Sequence, residues 1–170
     1  MASHIRLATL PDIPAIMALV RRVVPLMQAS GNQQWSAEYP NEEVFRRDIE
    51  QQHLWVTELD GHIAAIAALT NNEQDPEYAQ ADWDPTEPAL VTHRLAVDPA
   101  AQGSGLAVSL LQHAETLATQ LGLSTLRVDT NSENQATQRL FPKLGYHYAG
   151  EITLAFRPGL RFFCYEKRLA

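Results

Sequence analysis

The chain predicts one mixed α+β domain built on a mostly antiparallel sheet, with helices on its faces. Two observations carry this. Apolar or alternating runs with strand character fall at residues 5–9, 53–58, 63–69, 90–97, 125–129, 145–151 and 161–168, broken irregularly by helical stripes. A single strand, helix, strand unit, residues 90–129, supplies the parallel part of that sheet.

The first strand runs into Thr9-Leu-Pro-Asp12, a helix start in which Thr9 caps and an acid lies three residues on. Ile13, Ile16, Met17, Val20, Val23, Val24 and Met27 then recur at helical spacing, and Pro25 is expected to kink or end that helix. The following loop, GNQQWSAEYP, contains Trp35 and Tyr39, which either line a binding cleft or tuck onto the core. Residues 41–51 predict a second helix, and Leu59-Asp-Gly61-His is a hairpin signal between two antiparallel strands.

After an acidic stretch and the strand at 90–97, apolar residues recur at Leu106, Ala107, Leu110, Leu111, Ala114, Leu117, Ala118 and Leu121, a long amphipathic helix. Gly122 leads to the strand at 125–129. Asn131 or Ser132 is expected to cap a further helix from 133 to about 140, limited by Pro142, before the last two strands. There is no internal repeat, low-complexity tract or linker, so residues 1–170 read as a single domain.

At 45% hydrophobic and 19% charged residues, the composition is that of an ordinary soluble globular protein. No run approaches the roughly 18 apolar residues of a membrane span. The N-terminal MASHIRLATLPD lacks the basic region and apolar run of a signal peptide, so a cytoplasmic location with no membrane partner is expected. The lone cysteine, Cys164, excludes an internal disulfide framework and sits in an apolar strand, where packing explains it. A formal charge of −7 argues against nucleic acid and favours a cationic small molecule. Much of the excess is local: Glu73, Asp75, Glu77, Asp82, Asp84 and Glu87 share residues 71–88 with no Lys or Arg, either as a solvated loop or to steer an amine.

Between the strand at 90–97 and the long helix lies a turn of small residues, Gln102, Gly103, Ser104 and Gly105. Two glycines let backbone N–H groups converge on an anion at the positive end of the helix. No Lys or Arg lies between Val97 and Gln120, and Asp98 opposes an anion, so oriented amides must do the binding. A helix-end interaction contributes only about 0.3–1 kcal/mol when exposed, so a long, segmented cofactor suits this turn better than free phosphate. The Gly-Lys-Ser/Thr ending of a nucleotide-hydrolysing loop and the three-glycine dinucleotide fingerprint are both missing. The six histidines do not cluster at metal-ligand spacing, and no metal is expected.

The turn reads Gln102-Gly-Ser-Gly105-Leu-Ala107. It follows Val97-Asp-Pro99 and precedes Asn134-Gln-Ala136-Thr-Gln-Arg-Leu140-Phe141-Pro-Lys-Leu144-Gly145-Tyr146. These two blocks, in this order of strands and helices, resemble the GNAT superfamily of N-acetyltransferases over nearly the whole chain. The resemblance implies a twisted central sheet with a parallel, splayed strand pair, and acetyl-CoA as cofactor. Its pyrophosphate would lie on the amides of Gln102, Gly103, Ser104, Gly105, Leu106 and Ala107, and its pantetheine arm along Leu95, Ala96 and Val97. Asn134 would contact the cofactor or the splayed strand, or simply start the helix. Members are often homodimers, although nothing in this sequence specifies an interface.

One departure matters. Where many members place a tyrosine that protonates the departing thiolate, this chain has Phe141, which has no proton to give. A thiol pKa of about 8.5 makes the thiolate a tolerable leaving group, so water suffices. Tyr146, Tyr148 and Tyr165 are substitutes or simply packed aromatics. The amine must also lose a proton, because an alkylammonium of pKa about 10.4 is not nucleophilic at neutral pH. His93, with an ordinary pKa of about 6.5, is the first candidate base and Glu87 the second. By strict alternation His93 shares a face with Val91, Leu95 and Val97 and would be a core histidine, a parity that a bulge would change. Arg94 is expected to pair with an acid, and Asp129 is either that partner or a helix cap. The sequence thus leads to direct acetyl transfer to a primary amine of a small molecule, with Trp35, Tyr39 and the acidic loop closing over it. The alternatives are a non-catalytic acyl-CoA sensor, motivated by Phe141, and an enzyme acting on protein N-termini or lysines.

Overall fold

The computed structural model describes residues 3–71 and 75–170. In order, the elements are β1 (Ser3–Leu7), α1 (Ile13–Ala29), α2 (Glu42–Glu50), β2 (Leu54–Leu59), β3 (His62–Asn71), β4 (Leu90–Val97), α3 (Leu106–Gln120), β5 (Thr125–Asn131), α4 (Gln135–Lys143), β6 (His147–Ile152) and β7 (Phe162–Arg168). The strands form one sheet in the order β1-β2-β3-β4-β5-β7-β6, antiparallel except between β4 and β5. Asp60 and Gly61 take φ of 53° and 81°, the positive values a two-residue primed turn demands, and so close the β2–β3 hairpin.

β3 is buried on both faces, which explains its run of alanines. Ala65, Ala67 and Leu69 pack with Leu110, Leu111, Ala114 and Ala118 of α3, whereas Ile66 and Ala68 pack with Ile16, Leu19 and Val20 of α1 and Phe45 of α2. Small side chains at the sheet centre let both helical layers approach closely. A third cluster seats Tyr78 and Ala81 on Val91, Ile152, Leu154, Phe162 and Cys164. Cys164 is fully buried there, and that burial raises its thiol far above the usual range, as a packing role requires.

Two helix-end expectations are corrected. α1 continues through Pro25 to Ala29, because the proline and the carbonyl one turn back at Arg21 are both on the exposed side while Val20 and Val24 stay buried. α4 starts later than expected, at Gln135, and Pro142 lies inside it on an exposed position. Its cap is neither Asn131 nor Ser132 but Asn134, whose side-chain oxygen accepts from the Thr137 amide at 3.2 Å.

Two irregularities in β4 open the sheet. Its pairing with β5 covers only Leu90 to Leu126, Val91 to Arg127 and Thr92 to Val128, although both strands continue further. Towards β3, Ala68 pairs with His93 but Ile66 pairs with Ala96, so Arg94 and Leu95 together oppose Ala67. This is a β-bulge, and Arg94 takes φ 51° within it.

Candidate active site

The bulge decides the parity of His93. Leu95 and Val97 pack against the α3 layer, while His93 is paired with Ala68, whose side chain belongs to the opposite layer. His93 is thereby separated from the two apolar neighbours that strict alternation gave it. It borders a cleft of about 490 Å3 at the opening between β4 and β5, together with Trp35, Tyr39, Asp75, Asp129, Phe141 and Phe156.

Arg94 fixes the bulge to α2. Its guanidinium donates to both carboxylate oxygens of Asp48, each at 2.7 Å, and to the Tyr39 hydroxyl at 3.4 Å. Burial works against that charge, and Asp48 more than restores it, so the Arg94 pKa is raised. Arg94 thus pairs with an acid as expected, and of the two readings left open for Asp129 the one as that partner falls away: the acid comes from α2, a helix whose apolar spacing gives no sign that Asp48 points inward.

Asp129 has other company. The buried Tyr78 hydroxyl donates to its Oδ2, and donor atoms of Asp75, His93 and Asp129 all lie within 4.8 Å of one another. Loss of solvent raises the Asp129 carboxyl to about 6; the Tyr78 hydrogen bond opposes the rise and the charge of Asp75 adds to it. Tyr78 is held in turn by its ring against Trp83 at 5.1 Å and by the Trp83 indole N–H, which donates to its carbonyl at 2.7 Å. Part of the acidic stretch is thus folded onto the cleft as a 3-10 turn, Pro76–Gln80, and does not extend into solvent. Glu73 of that stretch lies outside the described residues.

A second cavity, of about 300 Å3, runs from the first towards the glycine turn and is lined by Val23, Met27, Val97, Gln102 and Asn134 among others. Met27 and Asn134 border both cavities. Gly103 and Gly105 take φ of 80° and 77°, and a Cβ on either would meet nothing within 4 Å. Backbone conformation, with open space in front of it, is what calls for glycine here. The Ser109 amide makes the first helical bond, to the Gly105 carbonyl at 3.0 Å, which leaves the amides of Leu106, Ala107 and Val108 without helical acceptors. The Gln102 side chain folds back to donate to the Val97 carbonyl at 3.2 Å. Asp98, the acid that would repel an anion, is paired with Arg22 of α1 at 2.6 Å.

The acetyltransferase (GNAT) family model matches residues 20–146. The chain belongs to this family. It is 27% identical over 152 residues, 84% of this chain and 81% of the relative, to "Uncharacterized N-acetyltransferase YesJ" of Bacillus subtilis (strain 168). A GNAT-family acetyltransferase of Streptococcus agalactiae 2603 superposes with a TM-score of 0.85 at 30% identity, covering 99% of this chain and 96% of that one. The yncA protein of Salmonella typhimurium, whose structure contains its cofactor acetyl-CoA, has a TM-score of 0.72 over 100% of this chain and 95% of its own, at 19% identity, a likeness of fold alone. The chain is accordingly an N-acetyltransferase of a family that uses acetyl-CoA, and among the described residues no helix is long and apolar enough to cross a membrane.

Within this GNAT fold the expected residues are sorted by position. His93, Leu95, Asn134 and Phe141 border the main cleft, and Val97, Gln102 and Asn134 the second cavity. Trp35 is buried and is also a cleft wall, while Tyr39 is partly buried with its ring 5.4 Å from Phe156. Glu87 is corrected as a candidate base. It lies at the start of the parallel pair, away from the opening, where Arg168 donates to both its oxygens at 2.7 and 2.8 Å and Thr125 donates at 2.8 Å. Arg168 first and Thr125 second hold its carboxyl below the usual range, which makes it a poor proton acceptor.

Phe141 is buried between Tyr146 and Tyr165, with ring centroids 5.7 and 5.4 Å away. The Tyr146 hydroxyl is buried with no hydrogen-bond partner and belongs to the α3 layer, and Tyr148 is exposed on β6. None of the three tyrosines borders the cleft, and Tyr146 and Tyr165 are packed in the α3 layer.

Sequence reasoning missed the roles of Asp48, Tyr78 and Arg22 and the grouping of Asp75 with Asp129. The donor set of one imidazole and two carboxylates would also suit a divalent cation. Histidine spacing, the basis for expecting no metal, has no access to ligands drawn from three separate segments.

Proposed function

We propose that this protein transfers an acetyl group from acetyl-CoA directly to the primary amine of a small molecule. The observation that supports the reading is the grouping of Asp75, His93 and Asp129 at the head of the cleft, beside the opening between β4 and β5. A cleft of about 490 Å3 walled by Trp35, Tyr39, Leu154 and Phe156 suits a compact ligand.

The residues of the opening fit the cofactor. Left-handed glycines, unbonded amides at the start of α3 and a neutralised Asp98 together favour a diphosphate, with Gln102, Gly103, Ser104, Gly105, Leu106 and Ala107 around it. Leu95, Ala96 and Val97, beyond the last β4–β5 pair, have a strand edge to offer an amide-bearing arm. When bound there, acetyl-CoA supplies a thioester carbon open to attack and a thiolate able to leave.

Asp75 and Asp129 attract and orient an ammonium ion. The bound ammonium first gives one proton to solvent to become the nucleophilic amine, and His93 accepts the second proton from the nitrogen as the new C–N bond forms and the C–S bond breaks. The proton is therefore taken up at an imidazole nitrogen and exchanged with solvent at the cleft mouth. Phe141 gives nothing to the thiolate, which takes its proton from water. The test is acetyl-CoA turnover against a panel of amines, followed as CoA release: turnover on at least one amine supports the reading, and tight binding with no turnover favours a sensor.

A further inference from the structure

The charges lining the cleft do not all cancel. Asp48 and Arg94 neutralise each other, with both carboxylate oxygens engaged. Asp75, His93 and Asp129 are grouped at the head of the cleft. The remaining cation among the described lining residues is Arg47, which borders the cleft together with Val44 and Asp48 of α2. Among the described residues no carboxylate forms an ion pair with it, and it is exposed. Its neighbour gives a direct comparison. Arg46 bonds Glu42 one turn back at 3.1 Å, while Arg47, which has Glu43 at the same spacing, leaves that acid and borders the cleft instead.

An amine bound with its nitrogen at Asp75, His93 and Asp129 thus shares one cavity with a guanidinium that has no counter-ion among the described residues, and Gln34 and Gln51 line the same cavity. A guanidinium fork matches a carboxylate in a paired geometry that water does not offer. We propose that Arg47 binds a carboxylate carried by the amine substrate, so that the preferred acceptor is a zwitterion such as an amino acid. This rests on the amine reading above and narrows it.

The test compares an amino acid, its carboxamide and the corresponding alkylamine as acceptors with saturating acetyl-CoA. The wild-type protein is expected to favour the carboxylate by about tenfold or more in kcat/KM, mostly through KM. Arg47→Gln should bring that ratio close to one, Arg47→Lys should restore part of it, and Arg46→Gln, on the same helix outside the cleft, should keep it. A wild-type enzyme that acetylates all three equally, or a preference that survives Arg47→Gln, overturns the proposal while the amine reading stands. No turnover of any amine overturns both.

Discussion

Tyr78 donates its phenolic hydroxyl to the Oδ2 of Asp129, across a separation of 51 residues. Burial raises the Tyr78 hydroxyl well above its usual range, so it is a donor at every working pH. It supports the ionised form of a carboxyl that the cleft otherwise pushes towards the neutral acid.

Removing that donor has a defined sign. Tyr78→Phe withdraws the one contact that lowers the Asp129 pKa, so the acid limb of kcat/KM against pH should move to higher pH. Stability should fall by about 0.5–1.5 kcal/mol for the lost hydrogen bond. An unchanged pH profile in a folded variant would count against Asp129 having any part in the reaction.

Asp129 itself should trade stability for function. Its carboxyl, raised to about 6 by burial, lies above the ordinary value of 3.8, so the native state holds the proton more tightly. The contribution to stability is complete below about 3.8, declines as pH rises through 6, and is absent above that. Asp129→Asn keeps an acceptor for Tyr78 and does not titrate. Urea unfolding should therefore show the variant gaining about 1–3 kcal/mol on the wild type between pH 4 and pH 8, while turnover falls.

The bulge depends on Asp48. Asp48→Ala leaves the Arg94 guanidinium, only 16% exposed, without its carboxylate, and breaking such a pair costs about 3–5 kcal/mol. Because Arg94 follows His93 directly, the variant should lose activity at temperatures where circular dichroism still reports a folded chain.

The glycine turn is open to a direct test. Gly105→Ala adds a Cβ at φ 77°, a strain of about 1–2 kcal/mol, with no steric neighbour inside the protein. In the wild type, acetyl-CoA at 100 times its dissociation constant should stabilise the fold by about 2.7 kcal/mol in thermal unfolding. The variant should show a smaller shift at the same concentration, and an equal one would separate the turn from cofactor binding.

Local signals in the chain were enough for most of the scaffold. The Asp60-Gly61 turn, the apolar stripe from Leu106 and the run from Leu90 to Val97 each report a structure made by neighbours in sequence, and the glycine turn lies where its residues put it. Helix ends were less legible, because Pro25 and Pro142 are tolerated wherever packing holds the helix and the lost hydrogen bond faces solvent. The site was legible only in part. His93 could be named but not oriented, since its side depends on one extra residue in β4. Glu87 and Asp129 exchanged significance because their hydrogen-bond partners Arg168 and Tyr78 arrive from segments 81 and 51 residues away.

The claim that His93 takes the amine proton is tested most directly by the pH dependence of kcat/KM in His93→Gln, with acetyl-CoA affinity measured alongside by thermal shift. The account predicts a loss of about 100-fold or more in turnover and disappearance of the limb that His93 contributes, with the cofactor still bound. A variant that retains the wild-type rate and the wild-type profile would contradict it.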